Sequence, residues 1–306
     1  MRVELQPLIK SLSFHDIDEP ADRMGKFCWN VTHRQMDGGS FEGELTVAQL
    51  AGIQFARVTF SRGTYTRGNS PEGMIALAIP LSVPQLLRWH GHPLPANHVM
   101  LLKSSHGIDF LRQGTFHHAL AVIDLVSLIQ AANATNQPEV EPLLLGNAIM
   151  VQPNPIALQQ FQSYLQTLFI LVRLHPERAL QPTMQTLIRK KAMTLMLNLL
   201  IPHTDHPDVS PLHASSRCQL IKQAEAMILE NIDRPWSVHD LCTELHVSER
   251  TLRYGFQECF GMGPIAYLKV HRLNGVRHQL KSSTAHQTTV TDVAIQWGFW
   301  HMGQFA

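Results

Sequence analysis

From Arg217 to its end the chain carries two helix-turn-helix patterns in tandem, and no other feature narrows the choice of fold so far. A first helix is expected over Arg217–Glu230, where Leu220, Ile221, Ala224, Met227 and Ile228 recur at helical spacing until Pro235 interrupts them. Ser237 can then cap a short helix that turns Val238, Leu241, Cys242 and Leu245 inward, since a serine oxygen accepts from the backbone N–H groups a helix start leaves unpaired. His246-Val247 turns the chain, and Ser248 caps a second helix, Glu249–Phe260. Leu252, Phe256 and Phe260 fall at i, i+4 and i+8 of that helix and are expected to be buried. Arg250, Arg253, Tyr254 and Gln257 then face outward, where a major-groove reader carries its base-contacting side chains. Cys242 is the small residue expected where the two helices cross.

The second pattern follows Gly261-Met262-Gly263. Pro264 opens a long helix, Ile265–Leu280, as proline does in a first helical turn. A polar loop, Lys281–Thr288, leads to a short helix within Thr289–Phe299 that ends on a Gly298 turn, with Ala294 in the position of Cys242. The net charge of +1 hides a basic stripe: Arg250, Arg253, Lys269, Arg272, Arg277 and Lys281 are interrupted between Arg250 and Lys281 by one acid, Glu258. A solvated helix face accounts for such a stripe as readily as a phosphate-binding one does.

These residues resemble the AraC/XylS regulators. The family's double helix-turn-helix pattern is matched by Leu241-Cys242, Val247 to Leu252, Phe256, Phe260-Gly261, Pro264, Arg272-Leu273, Val276, Leu280, Val293-Ala294, Gly298-Phe299 and Phe305, over about 217–306. Leu-His-Val-Ser, Arg-Leu-Asn and Gln-Trp-Gly-Phe-Trp-His-x-Gly-Gln-Phe-Ala are similar to ethanolamine-utilisation regulators. In the N-terminal half the likeness is confined to Phe41 to Leu45 and the strand after it. The resemblance implies a sequence-specific DNA-binding activator in the cytoplasm, with no catalytic residue and no obligatory cofactor or metal. It implies double-stranded DNA and RNA polymerase as partners and a small-molecule effector, with ethanolamine and adenosylcobalamin one such pair. Each recognition helix would enter one of two successive major grooves, about one turn or roughly 34 Å apart. Carried over by position, Arg250, Arg253 and Tyr254 would meet base edges in the first groove, and Met302 and Gly303 in the second. Lys269, Arg272, Arg277 and Gln304 would touch the DNA backbone or serve structurally. Gly255, inside the first recognition helix, departs from the pattern and suggests close approach to DNA or to a neighbour. Against the family pattern the chain stops early in the second recognition helix, which starts at about 301, so Trp297 and Phe299 are expected to be partly uncovered.

Upstream, the run from Pro202 to Pro211 is rich in breakers and short polar residues, and a linker is expected at 202–216. Before it, strands are expected at Glu44–Leu50, Ile53–Phe60, Met74–Leu81, Leu87–His90, Val99–Leu102, Ile108–Leu111 and Ala119–Ile123, which suggests a barrel or sandwich. Helices are expected at Leu125–Asn133, Ile156–Leu174 and Ala179–Ile201, the last with Leu187, Met193, Leu197 and Leu200 on a packed side. The expected fold class is a multidomain α+β chain. A sensor and dimerisation domain at 1–201 holds a cupin-like barrel of short strands (about 43–123) and helices (about 125–201), and an all-α double helix-turn-helix domain at 217–306 is incomplete at its C-terminus. Helices 156–201 are the candidate homodimer surface.

Four scattered cysteines without a CxxC pair point to reduced thiols. No stretch has the length of a membrane span, so no membrane partner is expected. With 18 histidines, His90-Gly91-His92 and His117-His118 invite a metal reading, yet no glutamate follows His92 at cupin spacing. Two alternatives stay open: a cupin-like metalloenzyme with an appended helical domain, and a truncated regulator that no longer binds DNA.

Overall fold

A computed structural model describes residues 8–82, 86–201, 216–231, 234, 236–284, 286 and 288–300. The chain divides into two compact units: one holds the first six helices and the strands, apart from Arg34 and Gln35 at the end of the second strand, and the other holds Arg34–Asp37 and the remaining helices. The division falls within 202–215, where the linker is expected, outside the described residues.

In the first unit β1 (Leu8–Phe14), α1 (Glu19–Gly25) and β2 (Asn30–Gln35) precede the strand-rich stretch. That stretch comprises β3 (Gly43–Leu50), β4 (Ile53–Phe60), β5 (Thr64–Asn69), β6 (Met74–Pro80) and β7 (Leu86–Trp89), then β8 (His92–Pro93), β9 (Val99–Lys103), β10 (Ile108–Gln113) and β11 (Phe116–Asp124). The strands form two sheets: seven strands in the order β1-β3-β4-β11-β6-β9-β12, where β12 is Met150–Val151, and five in the order β2-β5-β10-β7-β8. Sheet structure thus begins at Leu8, well before the expected residue 43.

Alternation along β11 explains the layering. Ala119, Ala121 and Ile123 belong to one apolar core, Leu120 and Val122 to another, because successive side chains point to opposite faces of a strand. The second core lies between the sheets, where Val47, Val58 and Ala78 of the larger meet Trp89 and Phe110 of the smaller. On the other face of the large sheet lie α2 (Leu125–Ala134), α3 (Val140–Leu145), α4 (Pro155–Leu174), α5 (Pro176–Ala179) and α6 (Pro182–Leu200). Helix α4 buries Leu158, Phe161, Leu165, Leu168 and Val172, the stripe its 3.6-residue period dictates.

Two expectations are corrected. A single helix over Ala179–Ile201 does not form: Gln181 is extended (ψ 136°) before Pro182, since proline disfavours helical geometry in the residue preceding it, and α6 starts afresh. Leu187 is 58% exposed rather than packed, while Leu197 and Leu200 are buried. No helix among the described residues is long and apolar enough to cross a membrane, and no three of their His, Cys, Asp or Glu side chains gather as metal ligands.

The second unit holds α7 (Ser216–Glu230), α8 (Val238–Glu244), α9 (Glu249–Phe260), α10 (Pro264–Ser282) and α11 (Val290–Gln296). Pro235, expected to interrupt α7, lies outside the described residues.

Candidate nucleic-acid interface

Ser237 and Asp240 build a reciprocal cap at the start of α8: the Asp240 N–H donates to Ser237 Oγ (3.1 Å) and the Ser237 N–H to Asp240 Oδ2 (2.9 Å). The Ser237 hydrogen bonds hold the Asp240 carboxyl below the usual carboxylate range. The helix ends where the Val247 N–H reaches back to Cys242 O (3.0 Å) across His246, whose φ of 54° is left-handed. Ser248 then caps α9 by accepting from the Thr251 N–H (3.1 Å), and Gly261, at φ 68°, closes it.

These caps set the rotation of α9. Leu252, Phe256, Cys259 and Phe260 turn inward with Ile221, Ala224 and Ile228 of α7 also buried. Tyr267 of α10 stacks on Phe260, ring centroids 4.3 Å apart, and its hydroxyl donates to the buried Glu225 of α7. Gly255 is buried as well, so its close approach is to the protein interior and not to a ligand on the outer face.

The outward face carries the expected residues. Arg250, Arg253 and Gln257 are exposed and Tyr254 is 58% exposed. The Arg250 guanidinium lies 5.3 Å from the Tyr254 ring centroid, within cation–π range. Arg253 Nε donates to Glu249 Oε1 at 2.6 Å, an i, i+4 pair. Glu249 stands just outside the basic stretch, and its pairing with Arg253 is the contact the sequence reading passes over, although the i, i+4 spacing is there to be read.

The same bonds recur in α11. Thr289 and Asp292 repeat the cap, with Asp292 N–H to Thr289 Oγ1 at 3.1 Å and Thr289 N–H to Asp292 Oδ2 at 3.2 Å. The Phe299 N–H reaches back to Ala294 O (2.9 Å) across Gly298, at φ 79°, as Val247 does to Cys242 across His246. Phe299, expected to be partly uncovered, is buried with Val276, Val293 and Ala294, because the turn folds it under α10. Trp297 is half-buried and its Nε1 donates to Gln279 Oε1 (2.6 Å). Met302, Gly303, Gln304 and Phe305 lie outside the described residues.

Of the candidate backbone contacts, Lys269 is exposed and Arg277 half-buried. Arg272 is committed internally: Nη2 donates to Arg234 O, and a Cβ on Gly298 would meet its guanidinium.

Comparison with known proteins bears on this unit. The chain is 31% identical over 87 residues to the probable thc operon regulatory protein of Rhodococcus erythropolis, covering 28% of this chain and 26% of that protein. It is 34% identical over 79 residues to the XylDLEGF operon transcriptional activator 2 of Pseudomonas putida, covering 26% and 50% respectively. The chain thus spans half or less of the length of these relatives. Among solved structures it is similar to the AraC-like transcriptional activator CuxR, with 14% identity and a TM-score of 0.44 over 94% of this chain and 100% of that one. Residues 241–306 match the family model of the helix-turn-helix domain, the span in which the turn from α8 into α9 lies and in which α11 repeats the cap and the turn of α8.

Proposed function

We propose that the chain is a sequence-specific DNA-binding transcription regulator of the AraC/XylS type, an activator working with RNA polymerase in the cytoplasm. The observation that carries this reading is a helix, α9, capped at both ends and buttressed on one side, that presents Arg250, Arg253, Tyr254 and Gln257 on the other. Arginine suits bidentate contact with guanine O6 and N7 in a major groove. Met302 and Gly303 are the proposed base-reading positions of the second motif, with Lys269, Arg277 and Gln304 proposed at phosphates. The two-sheet N-terminal unit, read as a cupin-like sensor, would hold the small-molecule effector. Ile170 and Leu174, exposed one turn apart on α4, and Leu187 on α6 are the apolar residues proposed for a homodimer surface. The likeness to ethanolamine-utilisation regulators bears on which effector is tried first.

The test is a titration of the purified chain against duplex DNA at several salt concentrations. Specific binding whose log K falls linearly with log salt supports the reading, because each neutralised phosphate releases a counterion. Absence of salt-dependent binding refutes it and returns the chain to the alternatives of a regulator that no longer binds DNA or a metalloenzyme.

A further inference from the structure

The core between the two sheets is not closed. It encloses a cavity of about 50 Å³, with room for about four water-sized groups. Most of its wall is apolar, Val58, Trp89, Met100, Ile108, Phe110 and Leu120 among the lining residues. Four polar side chains also line it: Arg112 of β10, His33 of β2, Thr66 of β5 and His118 of β11.

Arg112 is the anomaly. It is 1% exposed, and its Nε and Nη2 meet no hydrogen-bond acceptor among the described residues. Its guanidinium lies 4.4 Å from the Phe60 ring centroid, 5.5 Å from that of Phe110 and 5.6 Å from that of Phe116. Aromatic faces soften the burial of a cation but satisfy no N–H. Burial lowers the Arg112 pKa to about 9, so the group is still charged at neutral pH. The neighbouring histidines do not neutralise it. Burial first and Arg112 second bring His33 down to about 3 and hold His118 well below the ordinary histidine value, so both are neutral. His33 Nε2 and His118 Nδ1 are enclosed and unpartnered, while His33 Nδ1 is bonded to Thr66 Oγ1 (2.9 Å). One uncompensated positive charge, donors without acceptors and apolar walls therefore converge on one small space. A buried charge without a partner is costly enough that such an arrangement is expected to serve an anion.

We propose that this cavity binds a short-chain monocarboxylate, its carboxylate held by the Arg112 guanidinium and the two histidines, its apolar tail by Met100, Ile108 and Leu120. A guanidinium offers parallel N–H donors that match both carboxylate oxygens. The available space favours the smallest acids, of roughly two or three carbons.

The experiment reads ligand binding to the full chain by calorimetry and by the emission of Trp29 and Trp89, which line the cavity. Acetate, propionate, butyrate, hexanoate and benzoate form the series; propionamide, chloride and phosphate are the controls. The expected result is binding of the short acids, at least about tenfold tighter than of propionamide, and a loss of that preference in Arg112→Met. Retention of the charge in Arg112→Lys should preserve part of it. No binding across the series, equal affinity for acid and amide, equal affinity in Arg112→Met, or occupation by chloride or phosphate in preference to the acids would overturn the proposal. If Arg112→Met does not fold, the acid-against-amide comparison on the unaltered chain decides. Because binding is read on the protein alone, failure of the site and failure of the DNA-binding reading give separate results.

Discussion

Gly275 sits inside α10, where glycine costs about 1 kcal/mol relative to alanine, and ordinary helix energetics therefore favour Gly275→Ala. The structure reverses that sign. A Cβ at this position would stand no more than 2.5 Å from Cζ3, Cη2 and Cε3 of Trp297, about 1 Å inside van der Waals contact. The indole is rigid and tied to Gln279 at 2.6 Å, so it can yield only by moving as a whole. Overpacking of this kind costs about 1–3 kcal/mol, and losing the indole hydrogen bond adds about 1. Set against the helix gain, Gly275→Ala is expected to destabilise the second unit by about 1–3 kcal/mol. Denaturant unfolding with fluorescence detection measures it, and the Trp297→Ala background supplies the control. With the ring gone, the same Gly275→Ala change should stabilise by up to about 1 kcal/mol. A stabilising Gly275→Ala in the unaltered chain, or no coupling with Trp297, would refute the packing of α11 against α10.

Replacing Arg250 or Arg253 with alanine should weaken specific DNA binding by about 1–3 kcal/mol and leave non-specific affinity almost unchanged; an equal loss in both would make them phosphate contacts. Cys242 is half-buried where α8 turns toward α9, so Cys242→Ala should be tolerated and Cys242→Leu should cost about 1–3 kcal/mol in thermal unfolding. A leucine variant as stable as the parent would move the crossing elsewhere. In the first unit, the unfolded chain takes up protons on His33 and His118 near pH 6.5, whereas folded His33 does so only near 3. Stability is therefore full above about pH 6.5 and falls as pH drops toward 3, and the double variant His33→Gln with His118→Gln should show a shallower fall between pH 7.5 and 5 in urea unfolding.

How much of this was legible in advance follows from how local each signal is. The expected strands from Glu44 to Ile123 and the helices Leu125–Asn133, Ile156–Leu174 and Glu249–Phe260 all reappear within a few residues. Strands β1, β2, β5, β8 and β12 have no counterpart among the expected strands: Leu8–Phe14 is half-exposed, Asn30–Gln35 and Thr64–Asn69 are too polar to show an apolar alternation, and His92–Pro93 and Met150–Val151 are too short to show any period. Arg112 was also overlooked, though its place at i+2 from Phe110, on the inward face of β10, is a cue that alternation offers.

Everything that depends on neighbours in the chain was decided by the sequence itself. Ser237, Ser248 and Thr289 cap the helices that follow them, glycines or a left-handed histidine end the turns, and the period of Leu252, Phe256 and Phe260 determines which way Arg250 and Arg253 face. Tertiary structure alone decided what strand pairing brings together. His33 lies far along the chain from Arg112 and His118, and these two, though on successive strands, belong to different sheets; no local rule brings the three to one space until β2, β5 and β10 join one sheet and β11 lies across from it. Only then does a lone arginine become a charge enclosed without a partner, because burial is a property of the whole core and not of any segment.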